Sequence, residues 1–412
     1  MKCFLMLFLI SCQIAEAQDT ISASLVTPFC YRFGIEKDKF VGDGADKLLA
    51  SIRKSQFVLL GETHNDAKIA EFTDLLLDTL SEMNFRHFLT EHGRYGLQLL
   101  LEEIKKDPTV SKGLCRINTK EYSRLNKFPF PFLSGIEDAS FMSTAIDKGY
   151  QLFGIDQEFY YSYPFLFETL YEKSNKTEWV KNSYQQAIYF ILSQYKLESA
   201  NKDYSVCKSL LESEVIKQFF SNVNSGFASN ELINDIILSW EIYEANRVNR
   251  RESFLKRGDL MKNRFLDYYI NETTKDSVLA KYVIKLGAQH TMRGVTPLGI
   301  EDVGELVHQL AIEHHKTDLN IYFLFRYYLD EEEELGFFDN SEGNSKWLTE
   351  RKPLMLQGLP DEWVLIDLQA LGEMIDATNI FVYEPIAEII KRHDYVIMPP
   401  ASDNVSENRK KE

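Results

Sequence analysis

The sequence has few cysteines, an excess of acidic over basic residues, and no long hydrophobic segment. Cysteine accounts for 5 of the 412 residues, which excludes a disulfide-built scaffold, and no pair has the spacing of a cysteine zinc site. Lysine and arginine number 46 against 62 aspartates and glutamates, for a net charge of -16. Because nucleic-acid phosphates repel such a chain, we expect no nucleic-acid partner. The motifs of a P-loop, a dinucleotide-binding fold and an α/β-hydrolase serine are also missing.

Residues 1–17 are predicted to be a signal peptide. Lys2 gives a positive start, the apolar segment Phe4–Ile10 follows, and Ala15–Ala17 has the small residues of a cleavage site. This pattern predicts export to the periplasm or the medium. An alternative interpretation is a lipoprotein signal in which Cys12 carries the lipid, and only then would the protein associate with a membrane. Later in the sequence, no segment approaches the ~20 apolar residues of a transmembrane helix.

Short β-rich runs alternate with segments of helical periodicity over most of the remaining chain. This alternation predicts an α/β fold, with a mostly parallel sheet core and helices on both of its faces. A long stretch without β-rich runs predicts a helical insertion that caps the core. The acidic run 330–334 is interpreted as a solvated loop. The expected organisation is a first part of the core at 18–159, the insertion at 160–272, a second part of the core at 273–400 and a polar, frayed tail at 401–412.

Four of the predicted strands end in clusters of polar residues. In an open parallel sheet, ligands bind outside the carboxyl ends of the strands, so we expect these clusters to meet at one edge. Glycines beside two of the clusters would let a ligand approach the backbone closely. The clusters contain Glu62 and His64 after the first strand, Glu91 after the second, Asp156 and Glu158 after the third, and His290 after the fourth.

The residue types in these clusters are suited to acid–base chemistry. His64 can take a proton from water as a general base, because an imidazole titrates near neutral pH. Glu62 or Glu91 can orient that imidazole, and His290 can serve as a second acid or hold an oxyanion. The same four side chains are also sufficient to bind one divalent metal ion, an alternative that their spacing leaves open. His92 faces the opposite side of an extended chain from Glu91, so we interpret it as structural.

Other residues near the clusters are candidates for contact with a ligand. Asp156 and Glu158, at the third strand end, are candidate substrate-binding residues. Arg257 is the third candidate; it belongs to an arginine-rich stretch that is either a solvated helix face or an anion-binding site. Two aromatic segments, 128–132 and 159–165, are interpreted as core or lid packing, with the wall of an apolar pocket as the alternative.

Two of the strand-end motifs resemble a known superfamily. The segment Leu60–Asn65 resembles the G-E-x-H signature of the ChaN-like haem-uptake proteins, which also place a glutamate at the position of Glu91. The segment Gly287–Gly294 resembles the G-A-x-H-x-x-G signature of a wider superfamily, which joins erythromycin esterase-like enzymes, ChaN-like proteins, the TraB/Tiki group and a toxin domain. Three other features look more like the erythromycin esterase branch: the Asp156 strand end, the long insertion and the Arg257–Asn263 stretch. That branch, however, usually carries G-E-x-x-H, with one residue more between the glutamate and the histidine than in this chain.

The resemblance implies that Glu62, His64, Glu91 and His290 form the functional site. It implies first an exported hydrolase in which His64 activates water on an ester or amide of a small-molecule substrate. One alternative is a ChaN-like carrier of haem or an iron compound. The other is a Tiki-like peptidase that holds a divalent metal ion at these four residues.

Overall fold

The computed structural model describes residues 20–120, 127–223, 227–273, 280–324, 328–329, 335–336, 350–378 and 380–410. The predicted signal peptide and the acidic run 330–334 lie outside these described residues. Across the described ranges no helix is long and apolar enough to cross a membrane. Cys30, Cys115 and Cys207 are free thiols.

One nine-stranded sheet forms the centre of the described structure. Its strands are β1 (Cys30–Glu36), β2 (Lys39–Val41), β3 (Ser55–Glu62), β4 (Phe85–Gly93), β5 (Gln151–Asp156), β6 (Lys281–Gly287), β7 (Thr317–Phe323), β8 (Trp363–Asp367) and β9 (Tyr395–Met398). Across the sheet the order is β2-β1-β8-β9-β7-β3-β6-β4-β5. Neighbouring strands are parallel from β9 to β5, whereas the pairs β2–β1, β1–β8 and β8–β9 are antiparallel. The predicted α/β fold with a mostly parallel sheet is confirmed.

Helices surround the sheet and build the insertion. Before the insertion, a 3-10 turn at Thr27–Phe29 accompanies α1 (Ala23–Val26), α2 (Asp43–Lys54), α3 (Ala67–Ser81), α4 (Arg94–Ile104), α5 (Val110–Asn118) and α6 (Ile136–Asp147). The predicted insertion contains α7 (Tyr163–Glu172), α8 (Glu178–Ala200), α9 (Val206–Glu212), α10 (Glu214–Val223), α11 (Phe227–Val248) and α12 (Arg250–Thr273). After it come α13 (Ala288–Thr291), α14 (Val303–Glu313), α15 (Leu368–Thr378), α16 (Glu384–Arg392) and a short hairpin of Tyr328–Leu329 with Leu335–Gly336.

Strand β3 shows why the core has two covered faces. Every residue of Ser55–Glu62 is buried, so the strand lacks the alternation of apolar and polar residues that a half-exposed strand shows. On one face Val58 belongs to the larger apolar core, which includes residues of α2 to α6. On the other face Phe57 packs against Phe265 of α12, with ring centroids 6.3 Å apart. The last helix of the predicted insertion therefore covers the sheet directly.

The rest of the insertion adds a group of aromatic side chains to the larger apolar core. Trp240 of α11 lies among aromatic rings, with centroids 5.5 Å from Tyr163 and 5.9 Å from Phe220. The backbone amide of Glu158 donates to the hydroxyl of Ser239 on α11 at 2.9 Å. This contact joins the insertion to the carboxyl end of β5.

The C-terminal tail is held across the fold, although its polarity predicted a frayed end. The amide of Val405 donates to the carbonyl of Asn65 at 2.9 Å, beside the end of β3. The amide of Asn408 donates to the carbonyl of Ser134 at 2.8 Å. Backbone groups make such hydrogen bonds whatever their side chains are, so the composition of the tail gave no signal of them.

Candidate active site

Four strand ends converge at one edge of the sheet. Glu62 closes β3, Glu91 lies near the end of β4, and Asp156 closes β5. His290 lies in α13, directly after β6. Because β3, β6, β4 and β5 are parallel neighbours, their carboxyl ends lie side by side. The structure thus brings these residues and His64 together from three distant parts of the sequence.

His64 is bound through one ring nitrogen. Its Nδ1 lies 3.0 Å from Oε1 of Glu62, and Oε2 of Glu62 accepts a hydrogen bond from Nζ of Lys285. Burial would raise the pKa of Glu62, but the charges of Lys285 and His64 outweigh burial and hold that pKa below its ordinary value. Glu62 is therefore ionised, and the His64 tautomer that donates to it carries its proton on Nδ1. Its Nε2 is left as a base, on a side chain that is 29% exposed.

Glu91 lies at the centre of the cluster. Its Oε1 accepts a hydrogen bond from Arg257 at 2.7 Å, and its Oε2 accepts one from the amide of Gly287 at 2.6 Å. The Nε2 atoms of His64 and His290 each lie 3.8 Å from a Glu91 oxygen. Burial would raise the pKa of Glu91, but the charges of His290 and Arg257 outweigh burial and hold it well below its ordinary value. Glu91 is therefore a buried anion shared by two histidines and an arginine.

His290 is paired with an aspartate that sequence reasoning missed. Its Nδ1 lies 2.7 Å from Oδ2 of Asp302, which is completely buried. Oδ1 of Asp302 accepts from the amide of Val303 at 2.8 Å and caps α14. Burial would lower the pKa of His290, but Glu91 and Asp302 outweigh burial and raise it. His290 is therefore the histidine of the site that favours the charged form.

Arg257 reaches the site from α12. Its Nε donates to Oδ1 of Asp156 at 2.8 Å, and its Nη2 donates to Oδ2 at 2.5 Å. Because Nη2 also donates to Glu91, the guanidinium bridges the ends of β4 and β5. Arg264, two helical turns further along, donates to the backbone carbonyl of Asp156. Of the two sequence interpretations of Arg257, the structure therefore places it at the site and not on a solvated helix face.

Glu158 is bound to the beginning of α4 and not to the cluster. Its Oε1 accepts hydrogen bonds from the amides of Tyr95 and Gly96 at 2.9 and 3.0 Å. A Cβ atom at Gly93 or Gly96 would come within 2.3 or 2.4 Å of Glu158 Oε2, so both glycines leave room for this carboxyl group. Because Glu158 is only 1% exposed, we do not place it among the residues that would contact a substrate.

His92 is structural, as the alternation of side chains along an extended chain predicted. Its Nδ1 lies 2.9 Å from the hydroxyl of Thr90, and its Nε2 lies 2.8 Å from the carbonyl oxygen of Pro131. Burial lowers the pKa of His92 to about 4. The ring is therefore neutral near pH 7 and anchors the aromatic segment 128–132.

The same aromatic segment covers His64. The ring of Phe132 stacks on the imidazole with the two centroids 3.7 Å apart and the planes 19° from parallel. On the other side, a Cβ atom at Gly287 would lie 3.0 Å from Nε2 of His64. The glycine therefore leaves space at the nitrogen that would act as a base.

The comparisons with known proteins identify a shared fold. No protein-family model matches the sequence, and no curated protein matches it either. A succinoglycan biosynthesis protein of known structure is similar over 93% of this chain and 97% of its own, with a TM-score of 0.50 and 10% sequence identity. A mutant of the erythromycin esterase EreC, in its open conformation, matches over 94% and 98%, with a TM-score of 0.47 and 14% identity. ChaN of Campylobacter jejuni with cofacial haem matches over 90% and 97%, with a TM-score of 0.33 and 12% identity.

These similarities concern the fold. The succinoglycan biosynthesis protein has the same overall arrangement of elements along nearly its whole length. The names of the other two structures are those of groups that the strand-end motifs resemble. What each of these proteins binds or converts is a separate matter, which depends on the site residues.

The charges of the site do not fit a divalent metal ion. Lys285 and Arg257 already donate to the carboxylates of Glu62 and Glu91, which a metal would need as ligands. Within the part of the chain that the structure describes, no three His, Cys, Asp or Glu side chains are arranged to hold a metal ion. Nε2 of His64, the atom that would bind a haem iron, lies 3.8 Å from Oε2 of Glu91 and beside the backbone of Gly287.

Proposed function

We propose that this chain is a hydrolase that cleaves an ester or amide of a small-molecule substrate, with His64 as the general base. The observation that supports this most directly is the contact between His64 Nδ1 and Glu62 at 3.0 Å. A carboxylate at one ring nitrogen fixes the tautomer in which the other nitrogen can accept a proton. The partly exposed His64 ring contrasts with the buried Glu62, Glu91 and His290 around it.

The reaction follows from the positions of these groups. Nε2 of His64 takes a proton from water as the water oxygen bonds to the carbonyl carbon of the substrate. Glu62 stabilises the imidazolium that forms, and charged His290 stabilises the negative charge that develops on the substrate oxygen. When the bond from that carbon to the leaving oxygen or nitrogen breaks, His64 returns the proton to the leaving group.

Two cations, buried Lys285 and partly buried Arg257, hold the site in its working charge state. Lys285 keeps Glu62 ionised, and Arg257 does the same for Glu91. An ionised Glu91 in turn supports the charged form of His290. The resemblance of Gly287–Gly294 to the signature of the superfamily that includes the erythromycin esterase-like enzymes supports the same reaction class.

A substrate screen tests the proposal. Purified protein is assayed with p-nitrophenyl acetate, butyrate and hexanoate and with the matching p-nitroanilides, while absorbance spectra with added haem and elemental analysis for Mn, Co and Zn are recorded in parallel. Hydrolysis of at least one compound by metal-free protein is the expected result. No hydrolysis together with a Soret band on adding haem would favour a haem carrier, and hydrolysis that depends on bound metal would favour a metallopeptidase.

We also propose that the protein is exported. The support is the signal-like pattern of residues 1–17, after which the mature chain would begin at Gln18. N-terminal sequencing of protein from its native host would find Gln18 at the start of the mature chain. An intact Met1 would contradict export, and lipid on Cys12 would indicate a membrane-anchored form.

A further inference from the structure

A cavity of about 410 Å³ lies beside the proposed site. Phe132 is one of its walls, and Asn65, the residue after His64, is another. The cavity therefore lies one aromatic ring away from the proposed base. Small-molecule pockets have volumes of roughly 300–1,000 Å³, so this cavity suits one small group.

The two aromatic segments of the sequence meet in this cavity. Phe128, Pro131 and Phe132 line it from the segment 128–132, and Phe159 and Tyr161 line it from the segment after β5. Although the two segments come from different parts of the chain, they build one largely aromatic surface. The first segment therefore covers His64 and also lines the cavity.

The C-terminal tail borders the cavity, which is open to solvent and is also lined by Lys127 and Ser134. Asn404, Val405 and Glu407 belong to its lining. The guanidinium of Arg409 lies over the ring of Phe128, 5.0 Å from its centroid, so the tail also holds the aromatic segment in place. Polar groups of the tail thus form one side of the cavity. The aromatic side chains that line it belong to the segment 128–132 and to the segment after β5.

Phe132 separates the cavity from His64 in an unusual backbone conformation. Its φ angle is 61°, in the left-handed region that a residue with a side chain adopts only at a cost. Its ring stacks on His64 with the centroids 3.7 Å apart. In this conformation one face of the ring contacts the base, and the residue also lines the cavity. The cavity and His64 therefore lie on either side of Phe132, and a substrate that extends past the edge of this ring would contact both.

We propose that this cavity binds the apolar part of the substrate, which makes the substrate an ester or amide of a medium-length alkyl or single-ring acid. This inference rests on the proposed hydrolase function and adds the substrate class. Each fully buried methylene group is expected to raise kcat/KM about fourfold. The gain should stop when the cavity is full, so the preference is for a medium chain and not for the longest one.

A chain-length series tests the inference. Values of kcat/KM are measured for p-nitrophenyl esters from acetate to dodecanoate in the wild type, in Phe159→Ala and in a control, Tyr189→Ala. The control changes a tyrosine on α8 that is 78% exposed. In the wild type the ratio of hexanoate to acetate should be at least ~10, with a plateau beyond. Phe159→Ala should lower that ratio at least about fivefold, since the ring no longer contacts the chain, and Tyr189→Ala should leave it unchanged. An equal ratio in Phe159→Ala and wild type would overturn the inference.

A binding measurement separates failure of the cavity from failure of the catalytic proposal. If the wild type hydrolyses none of these esters, calorimetry with p-nitrophenyl hexanoate is carried out on the wild type and on Phe159→Ala. Binding that is weakened in Phe159→Ala but kept in Tyr189→Ala would support the cavity although the hydrolase proposal had failed. No binding to the wild type, or equal binding to all three proteins, would contradict the cavity as the ligand site.

Discussion

Replacing Glu62 with glutamine should destabilise the fold strongly, because it leaves the ammonium group of Lys285 buried without its charged partner. Both side chains are only 6% exposed, and the Lys285 ammonium lies 5.1 Å from the centroid of the Phe141 ring. Removing one partner of a buried ion pair costs about 3–5 kcal/mol. Asp138 also interacts with the charge of Lys285 and offsets part of the loss, so we expect about 3 kcal/mol.

A double-mutant cycle makes this prediction specific. Urea unfolding followed by circular dichroism would give the free energy of unfolding for Glu62→Gln, Lys285→Met and the double variant. Because the double variant removes both charges of the Glu62–Lys285 pair, it should cost clearly less than the sum of the two single changes. Lys173→Met breaks the exposed pair of Lys173 with Glu102 and should cost about 0–1 kcal/mol. A stable Glu62→Gln variant, or additive single changes, would refute the description of a coupled buried pair.

Three further predictions follow from groups around the site. Deleting residues 402–412 should lower both the melting temperature and the rate of ester hydrolysis, because the Val405 amide no longer holds the Asn65 carbonyl beside the base. Thermal melting curves and hydrolysis rates of the truncated protein would test this. In the folded state the pKa of His92 is about 4, which is below its unfolded value. The free energy of unfolding should therefore fall as the pH falls from about 6.5 to 4. In His92→Gln, the free energy of unfolding measured with urea should depend less on pH over that range. Glu158→Ala should cost about 1–3 kcal/mol in urea unfolding, because amides at the beginning of α4 lose their acceptor.

The sequence was sufficient to predict the sheet and the convergence of its strand ends. Short apolar runs such as that of β3 are too short for helices, and the helical segments between them require parallel strands. Parallel strands with right-handed crossovers place their carboxyl ends at one edge, so Glu62, Glu91 and His290 could be expected at one place. The prediction depended on topology and not on any local signal at those residues.

Residues that act through long-range pairing could not be predicted in the same way. Lys285 lies between the apolar residues Ile284 and Leu286 of β6, and its partner on β3 shows why a buried charge is tolerated there. Asp302 has the local features of a helix cap, which do not reveal that its other oxygen binds His290. The positions of Phe132 over His64 and of the tail against Asn65 depend on loop conformations, for which hydrophobic periodicity carries no information.

The most direct test of the central claim is the kcat of His64→Ala on an ester that the wild type hydrolyses. The expected result is a loss of at least ~10²-fold, the usual scale for a missing general base, with the thermal transition retained. His315→Asn, which changes an exposed histidine outside the site, should keep the wild-type rate. Wild-type activity in His64→Ala would contradict the assignment of the base, and loss of the thermal transition would show that His64 is needed for the fold.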